Sequence, residues 1–440
     1  MLKKYIKLNP SQLLLLVFII SISIGTLLLK LPLATTESIR WVDALFTATS
    51  AMTVTGLVVV DTGSAFTLFG QIVIVSLIQL GGLGIMSFAV LIYIMLGKRI
   101  GIKERLLVQQ ALNQTSIGGV IKLVRNLFFF SLTIEIIAML FISIRWVPEM
   151  GWIKGLYFSF FHSISAFNNA GFSLWSDSLT GFVGDPIINI VISFLFIIGG
   201  IGFTVLSDLW YKRRFKTLSL HSKMMIVGTF FINIIAIITI FTLEYGNPHT
   251  LGSLHSLGDK LWASYFQGIT PRTAGFNTID IGNLEEATIF FLLILMFIGA
   301  GSASTGGGIK LTTFLVIIMA VNSFLRRKKD ITIARRSINQ SFILKSLAIS
   351  SMALFFIFLG IFILSITEEQ PFITILFEVV SAFGTVGLSM GITGSLTVIG
   401  KLAIVIIMFV GKLGPLTLAF SLAQPKEEKI RYPSEDILTG

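Results

Sequence analysis

The chain has 440 residues, of which 54% are hydrophobic and only 12% charged, and its formal net charge is +11. Soluble domains average about 25% charged residues, so an ordinary water-soluble enzyme is excluded, as are disordered and coiled-coil chains, which depend on charge. With no cysteine in the sequence, disulfides, thiolate metal sites and cysteine nucleophiles are excluded too.

In chain order, apolar runs long enough to cross a bilayer fall at 11–29, 67–96, 127–144, 187–209, 224–243, 288–324, 346–366 and 402–420. The first is longer than a signal-peptide core and no small-residue cleavage site follows it, so it is expected to remain as a helix. An even number of spans places both termini on one side. Most of the 33 Lys and Arg residues gather at the N-terminus, in the connections around 98–125, 212–223 and 326–345, and in the tail. The positive-inside rule makes that side cytoplasmic, which accounts for the excess charge without nucleic acid. Acids such as Asp43, Glu244, Glu368 and Glu378 fall on the opposite face. They form either a vestibule that concentrates cations or ordinary surface.

Within each pair of spans lies an apolar segment too short to cross, at 39–51, 152–167, 259–269 and 372–381. Each leads into a related glycine loop: SAMTVTGL, SAFNNAGF, ITPRTAGF and SAFGTVGL. The glycines Gly56, Gly171, Gly275 and Gly387 fall once in each quarter of the chain. A second glycine cluster follows each loop, at Gly81-Gly82-Leu83-Gly84, Gly199-Gly200-Ile201-Gly202, Gly299-Ala300-Gly301 and Gly411-Lys412-Leu413-Gly414. Two markers at matching offsets indicate an internal fourfold repeat. Each repeat holds two spans, so all four share one orientation, unlike inverted-repeat carriers. The expected fold is an all-α polytopic membrane protein, with four parallel helix–pore-helix–helix repeats around a pseudo-fourfold central pore. Repeat one covers 1–98. A cytoplasmic loop plus repeat two covers 99–213, repeat three 214–326, repeat four 327–420, and a cytoplasmic tail 421–440.

Non-helical backbone at membrane depth is tolerated only where it lines a cavity, so the four loops belong at the pore. A ring of backbone carbonyls can replace the hydration shell of a cation, and turning carbonyls inward favours a residue without Cβ. The candidate ion-binding residues are Val54, Thr55 and Gly56; Asn169, Ala170 and Gly171; Thr273, Ala274 and Gly275; and Thr385, Val386 and Gly387. The last trio repeats the start of the TVGYG filter of potassium channels. Close helix packing is the competing explanation of these glycines.

The second span of repeat three is interrupted at 299–308 by Gly299, Gly301, Ser302, Ser304, Thr305, Gly306, Gly307 and Gly308. Such a run is a poor helix. It is either a movable obstruction of the pore or a simple kink. Lys412 stands mid-span, where a charge costs about 2.5–3.5 kcal/mol on insertion scales. It should face the pore as a barrier or latch, or pair with Glu135. Arg272, just before the third loop, is expected behind the filter as a structural brace, with Glu378 as its partner.

The runs DALFTATSAMTVTGL, HSISAFNNAGFSL, TPRTAGFN, SAFGTVGL and GAGSASTGGGIKLTTF resemble KtrB-type membrane subunits of bacterial Ktr potassium uptake systems, in the Trk/Ktr/HKT superfamily. The resemblance extends over nearly the whole chain. It implies a potassium filter at the four glycines, an intramembrane gate at 299–308, homodimerisation, and assembly with a cytosolic RCK-type nucleotide-binding ring. The family usually has Arg where Lys412 stands. Sodium-favouring members often carry Ser at the first filter glycine; Gly56 therefore points to potassium, with sodium permeation as the alternative. This chain has no GxGxxG after a strand, so nucleotide control would come from another polypeptide. A secondary carrier would need polar residues on its spans and a membrane enzyme a cluster of His, Asp or Glu, and the sequence offers neither.

Overall fold

The structure is a computed structural model that describes residues 10–84, 87, 120–328, 331–333 and 336–422. Lys3, Lys4, Lys7, most of the segment 106–123 expected at the inner interface, and all but the first residues of the tail lie outside these residues.

Four long helices, Pro10–Leu29, Val120–Met150, Leu220–Glu244 and Gln340–Thr367, open the four repeats; we call them outer helices. Each contains an apolar stretch of mean hydropathy 2.4–2.7, of which only 28% is buried. Phe129, Phe141, Phe230, Phe355, Phe358 and Phe362 stay exposed on these helices, as suits helices whose outer face meets lipid or another membrane-embedded chain.

The pore helices are Trp41–Thr53, Trp152–Phe167, Leu257–Ile269 and Phe372–Gly384. The shortest have 13 residues, about 20 Å at 1.5 Å per residue, less than the roughly 30 Å of a hydrocarbon core. They enter the protein instead of crossing the bilayer, and their C-terminal halves are almost wholly buried, with Phe46, Phe161, Phe167, Phe266, Phe377 and Phe383 among the largest enclosed side chains.

The inner helices differ from expectation. One interruption, in repeat three, is anticipated from composition, but all four inner helices stop in the second glycine cluster. They run Leu68–Leu83, Pro186–Ile201, Glu286–Phe297 and Val398–Leu413. Three end on a glycine of positive φ: Gly84 at 84°, Gly202 at 104° and Gly414 at 82°. In repeat two the chain then turns by 95° into Phe203–Lys212. The cluster also has a packing role. A Cβ on Gly81, Gly199 or Gly411 would collide with the carbonyl oxygen of Met52, Phe167 or Phe383, at the end of the same repeat's pore helix. The glycines let the inner helix lie against the backbone that leads into the loop.

The first and last repeats are joined by a buried ion pair. Asp43, on the first pore helix, meets Lys401, on the fourth inner helix, at 2.7 Å. Removing one partner of a buried pair typically costs about 3–5 kcal/mol, because the other charge is left without compensation. Lys401→Met is therefore expected to lower thermal stability in detergent sharply, and the double change D43L/K401M to recover most of the loss. A temperature series read by size-exclusion chromatography measures both.

Asp43 is one of several acids that sequence reasoning assigned to the outer surface. Glu244 and Glu378 are fully buried and Glu368 is 9% exposed. Glu244 accepts bonds from Asn247, Thr250 and the Glu285 backbone nitrogen, and Glu368 accepts from the backbone and hydroxyl of Thr397. These carboxylates tie the outer loops together, so fewer acids face the mouth than their count suggested. Among the described residues the only strands are the short antiparallel pair Thr332–Ile333 and Arg336–Ser337, at the start of repeat four.

Candidate functional site

Each pore helix leads into a left-handed residue two before its loop glycine. In repeats one, two and four the residue two before the loop glycine turns into the left-handed region and its nitrogen bonds back to the helix: Val54 to Ala51 O at 3.1 Å, Asn169 to Ala166 O at 3.0 Å, Thr385 to Ala382 O at 3.2 Å. Thr273 adopts the same conformation in repeat three. The four φ values are 51°, 57°, 70° and 49°. One residue of ordinary hand follows, then glycine at 90°, 67°, 79° and 93° for Gly56, Gly171, Gly275 and Gly387. Alternation of hand along an extended segment directs successive carbonyls to one side, as a carbonyl-lined cation path requires.

Ser and Thr of the motif fasten each loop to its pore helix. Ser50 Oγ and Ser381 Oγ accept from the nitrogens of Gly56 and Gly387, each at 3.1 Å. Ser165 Oγ donates to Phe172 O at 2.8 Å and Thr270 Oγ1 to Phe276 O at 2.5 Å. Sequence reasoning assigned these hydroxyls no role, although their recurrence ahead of each glycine was visible.

The four glycines meet. A Cβ on Gly56 would collide with the Ala170 carbonyl oxygen. One on Gly171 would lie 2.8 Å from the Gly275 Cα, one on Gly275 would strike the Val386 oxygen, and one on Gly387 the Thr55 oxygen. Each repeat therefore abuts the next, and the fourth abuts the first, in a closed ring of glycine and carbonyl. Thr55, Ala170, Ala274 and Val386 are buried with it.

The stretch between Phe297 and Leu311 lies directly against this ring. Thr305 Oγ1 donates to Asn169 Oδ1 at 2.8 Å, the Asn169 amide reaches Thr273 Oγ1 at 3.2 Å, and Gly307 N donates to Thr385 Oγ1 at 2.8 Å. Gly301 N bonds to Gly200 O and Gly308 N to Gly411 O. Ser304 Oγ bonds within the loop to Gly301 O, and Ser302 Oγ lies 3.3 Å from Thr312 Oγ1. Two ammonium groups hold the loop. Lys412 donates to Thr305 O at 2.5 Å and Lys310 to Gly306 O at 2.6 Å. Lys310 was missed as a candidate, because the sequence shows only that it follows the glycines.

The sequence matches the profile of the TrkH family, described as cation transport protein, over residues 9–432. The chain belongs to the TrkH family. It is 61% identical to the Ktr system potassium uptake protein B of Bacillus subtilis, covering 99% of this chain and 98% of that one. It is 44% identical to the protein of the same name from Vibrio alginolyticus, covering 94% and 92%, and 38% identical to the potassium/sodium uptake protein NtpJ of Enterococcus hirae, covering 99% and 98%. Its fold matches the crystal structure of the potassium transporter TrkH from Vibrio parahaemolyticus with a TM-score of 0.76, at 21% identity, covering 96% of this chain and 87% of that one. The chain is thus a multi-pass membrane protein of a transport family.

Within this TrkH-family chain, the pairing expected for Arg272 is not formed, and neither is the alternative pairing of Lys412. Glu135 does not meet Lys412. Its two oxygens accept from Gln79 Nε2 at 3.1 and 3.2 Å, and Gln79 in turn accepts from Asn168 at 2.6 Å. Arg272 does not meet Glu378. Its guanidinium donates to Asn233 Oδ1, on the outer helix of its own repeat, at 3.2 Å. Glu378 instead accepts from Ser389 and Thr393, beyond the fourth glycine. Pro271 ends the third pore helix early and aims Arg272 at its own repeat, whereas Glu378 sits mid-helix and faces the outer side of its own loop. Arg272→Ala is still expected to reduce the amount of folded protein, since it leaves Asn233 unpaired in a buried site. Normalised to protein amount, ion competition should be unchanged, which quantitative blotting beside tracer uptake would test.

Proposed function

We propose that this chain is the potassium-translocating membrane subunit of a bacterial uptake system, moving the ion down the membrane potential. The ring of four glycines, each against a carbonyl of the next repeat, carries the reading. The carbonyls of Thr55, Ala170, Ala274 and Val386, with those of the adjoining Val54, Asn169, Thr273 and Thr385, would replace the water around potassium. No fixed negative charge stands in the ring to trap the ion. The loop containing residues 299–308 serves as the gate, and Lys412 and Lys310 hold it closed beneath the filter. The relatives named as parts of Ktr systems support a cytosolic partner, for which an RCK-type nucleotide-binding ring is the family's form. The same resemblance supports a homodimer, and the even number of spans with the distribution of Lys and Arg supports both termini in the cytoplasm. Potassium, not an organic cofactor, is the substrate.

Complementation tests this. A bacterium lacking its own potassium uptake should grow at low potassium when this chain and a Ktr regulatory subunit are expressed together. Proteoliposomes of the purified chain should take up rubidium tracer along an imposed potential. Absence of flux when the chain is reconstituted together with the regulatory subunit would overturn the assignment. Sodium permeation is the second reading, favoured by the relative named for potassium and sodium. Sodium competition against rubidium decides between them.

A further inference from the structure

Behind the glycine ring lies a second ring, built from pore-helix side chains. Ser50, Ser165, Thr270 and Ser381 share one register: their backbone oxygens accept from Thr55, Ala170, Ala274 and Val386, the residues just before the glycines, at 2.8–3.0 Å. The third loop reaches its glycine with one residue fewer, so the register is set by these bonds and not by counting back from glycine. Three residues earlier on each helix, nearly one turn, stand Thr47, His162, Gln267 and Glu378. All four are polar, and none is more than 1% exposed.

In two repeats this side chain reaches the arm of the loop beyond the glycine. His162 Nδ1 lies 2.8 Å from the Phe158 oxygen. A carbonyl can only accept, so Nδ1 carries the proton and Nε2 is the acceptor. Nε2 lies 3.2 Å from Ser173 Oγ, whose proton is shared with Ser178 O at 3.3 Å, and accepts from Leu174 N at 3.4 Å. In repeat four, Glu378 accepts from Ser389 Oγ at 2.8 Å and from Thr393 Oγ1 at 2.5 Å. Ser173 and Ser389 each stand two residues past the glycine. Each also accepts from the backbone nitrogen two residues further on, Trp175 and Gly391, both at 3.0 Å. Two unlike residues thus build one device: pore helix to serine to outer arm.

The other two repeats lack it. Thr47 turns back to Asp43 O of its own helix at 2.9 Å, and Val58 stands where the serine would be. The Gln267 amide has no hydrogen-bond partner among the described residues, and Asn277 bonds to Ile279 O. Asn277 is held instead from repeat two, whose Ser178 Oγ and Leu179 N bond to its backbone. Because the repeats follow in order around the ring, the two strutted loops face each other across the axis.

We propose that His162 and Glu378 are positioning residues for ion selectivity, acting through Ser173 and Ser389 on opposite walls of the filter. The inference rests on the filter reading above. A carbonyl ring discriminates between cations only if its oxygens keep their spacing, and segments of alternating hand have little secondary structure of their own to hold them. The struts hold the outer arms and thereby the glycine carbonyls.

The serines give the cleanest test, because their removal deletes one hydroxyl and leaves the buried His and Glu in place. Sodium competition against rubidium uptake is measured in proteoliposomes for S173A, S389A, the double variant and S389T, with G56S alongside. Sodium should compete about threefold better in each single alanine variant and about tenfold better in the double. S389T, which keeps the hydroxyl, should behave as the parent both in competition and in thermal stability in detergent. If G56S alters competition while the serine double variant does not, the struts play no part in selectivity and this inference falls alone. If G56S leaves competition untouched, the filter reading falls with it. Lower total uptake with an unchanged competition ratio would reduce the serines to ordinary packing and also overturn the proposal.

Discussion

Replacing Gly56 by serine is expected to cut the preference for potassium over sodium about tenfold or more. The backbone at Gly56 has φ of 90°, beyond the left-handed well near 50–70° that L-residues can reach. Serine there would either strain the loop, by about 1–2 kcal/mol for the left-handed conformation alone, or pull the backbone back toward negative φ. The Cβ would also strike the Ala170 oxygen, a member of the ring. Either relaxation moves a carbonyl off the axis, and about 1.4 kcal/mol of differential binding is a factor of ten. Gly387 is under the same constraint, with φ of 93° and the Thr55 oxygen in the way. Gly171 is not: its φ of 67° lies within reach of other residues, and the obstacle is the Gly275 Cα at 2.8 Å. Substitutions at Gly56 and Gly387 should therefore be more damaging than Gly171→Ala. Sodium competition in rubidium uptake, corrected for protein amount, ranks the four positions. Equal competition in parent and Gly56→Ser would remove the basis for the filter.

The difference among these glycines bears on what the sequence could reveal. Period and motif were enough for the fourfold repeat, the short pore helices and the meeting of the loops, because glycine is required wherever backbones touch and the requirement recurs in every quarter. The same reasoning located Lys412 and the 299–308 loop, since a charge and a glycine run inside a span are visible without coordinates. It failed where the partner is remote. Arg272 bonds to Asn233 and Glu135 to Gln79, and neither asparagine nor glutamine stands out in a search for opposite charges. Lys401, placed at the outer surface by topology, is 7% exposed and pairs with Asp43 at the far end of the chain. The broken inner helices were missed for another reason. Gly84, Gly202 and Gly414 sit in apolar runs that read as continuous spans, and glycine within a helix is tolerated at about 1 kcal/mol. Only the positive φ shows that these glycines end the helix.

Loss of the Lys412 ammonium should open the pathway. Lys412→Gln is expected to raise rubidium flux through the chain without its regulator about tenfold. Backbone bonds tie the loop to Gly199, Gly200, Phe203 and Gly411, and a small set of bonds through side chains adds to them. Thr305 O accepts from Lys412, Gly306 O from Lys310, Thr305 Oγ1 donates to Asn169, and Gly307 N donates to Thr385. A hydrogen bond to a charged group contributes about 1.5–3 kcal/mol, so one lysine is worth a factor of ten or more in the balance between a loop lodged under the ring and a loop withdrawn. The other bonds through side chains join the loop to Asn169 and Thr385, the left-handed residues at the foot of two of the glycine loops. Under the proposed gating, withdrawal would therefore free groups at the ring as well as remove the obstruction. Arginine at 412 would keep the charge and present five N–H donors in a planar fork in place of the three of an ammonium, so Lys412→Arg should hold flux at or below the parent level. Deleting 304–308 removes both lysine acceptors and the Asn169 and Thr385 contacts together. It should give the highest flux of the series and make it independent of the regulator. Tracer flux in proteoliposomes, with and without the regulatory subunit, separates the cases. If Lys412→Gln and the deletion both match the parent in flux and in its response to the regulator, the loop is a static element of the fold, and control of the pore must lie elsewhere.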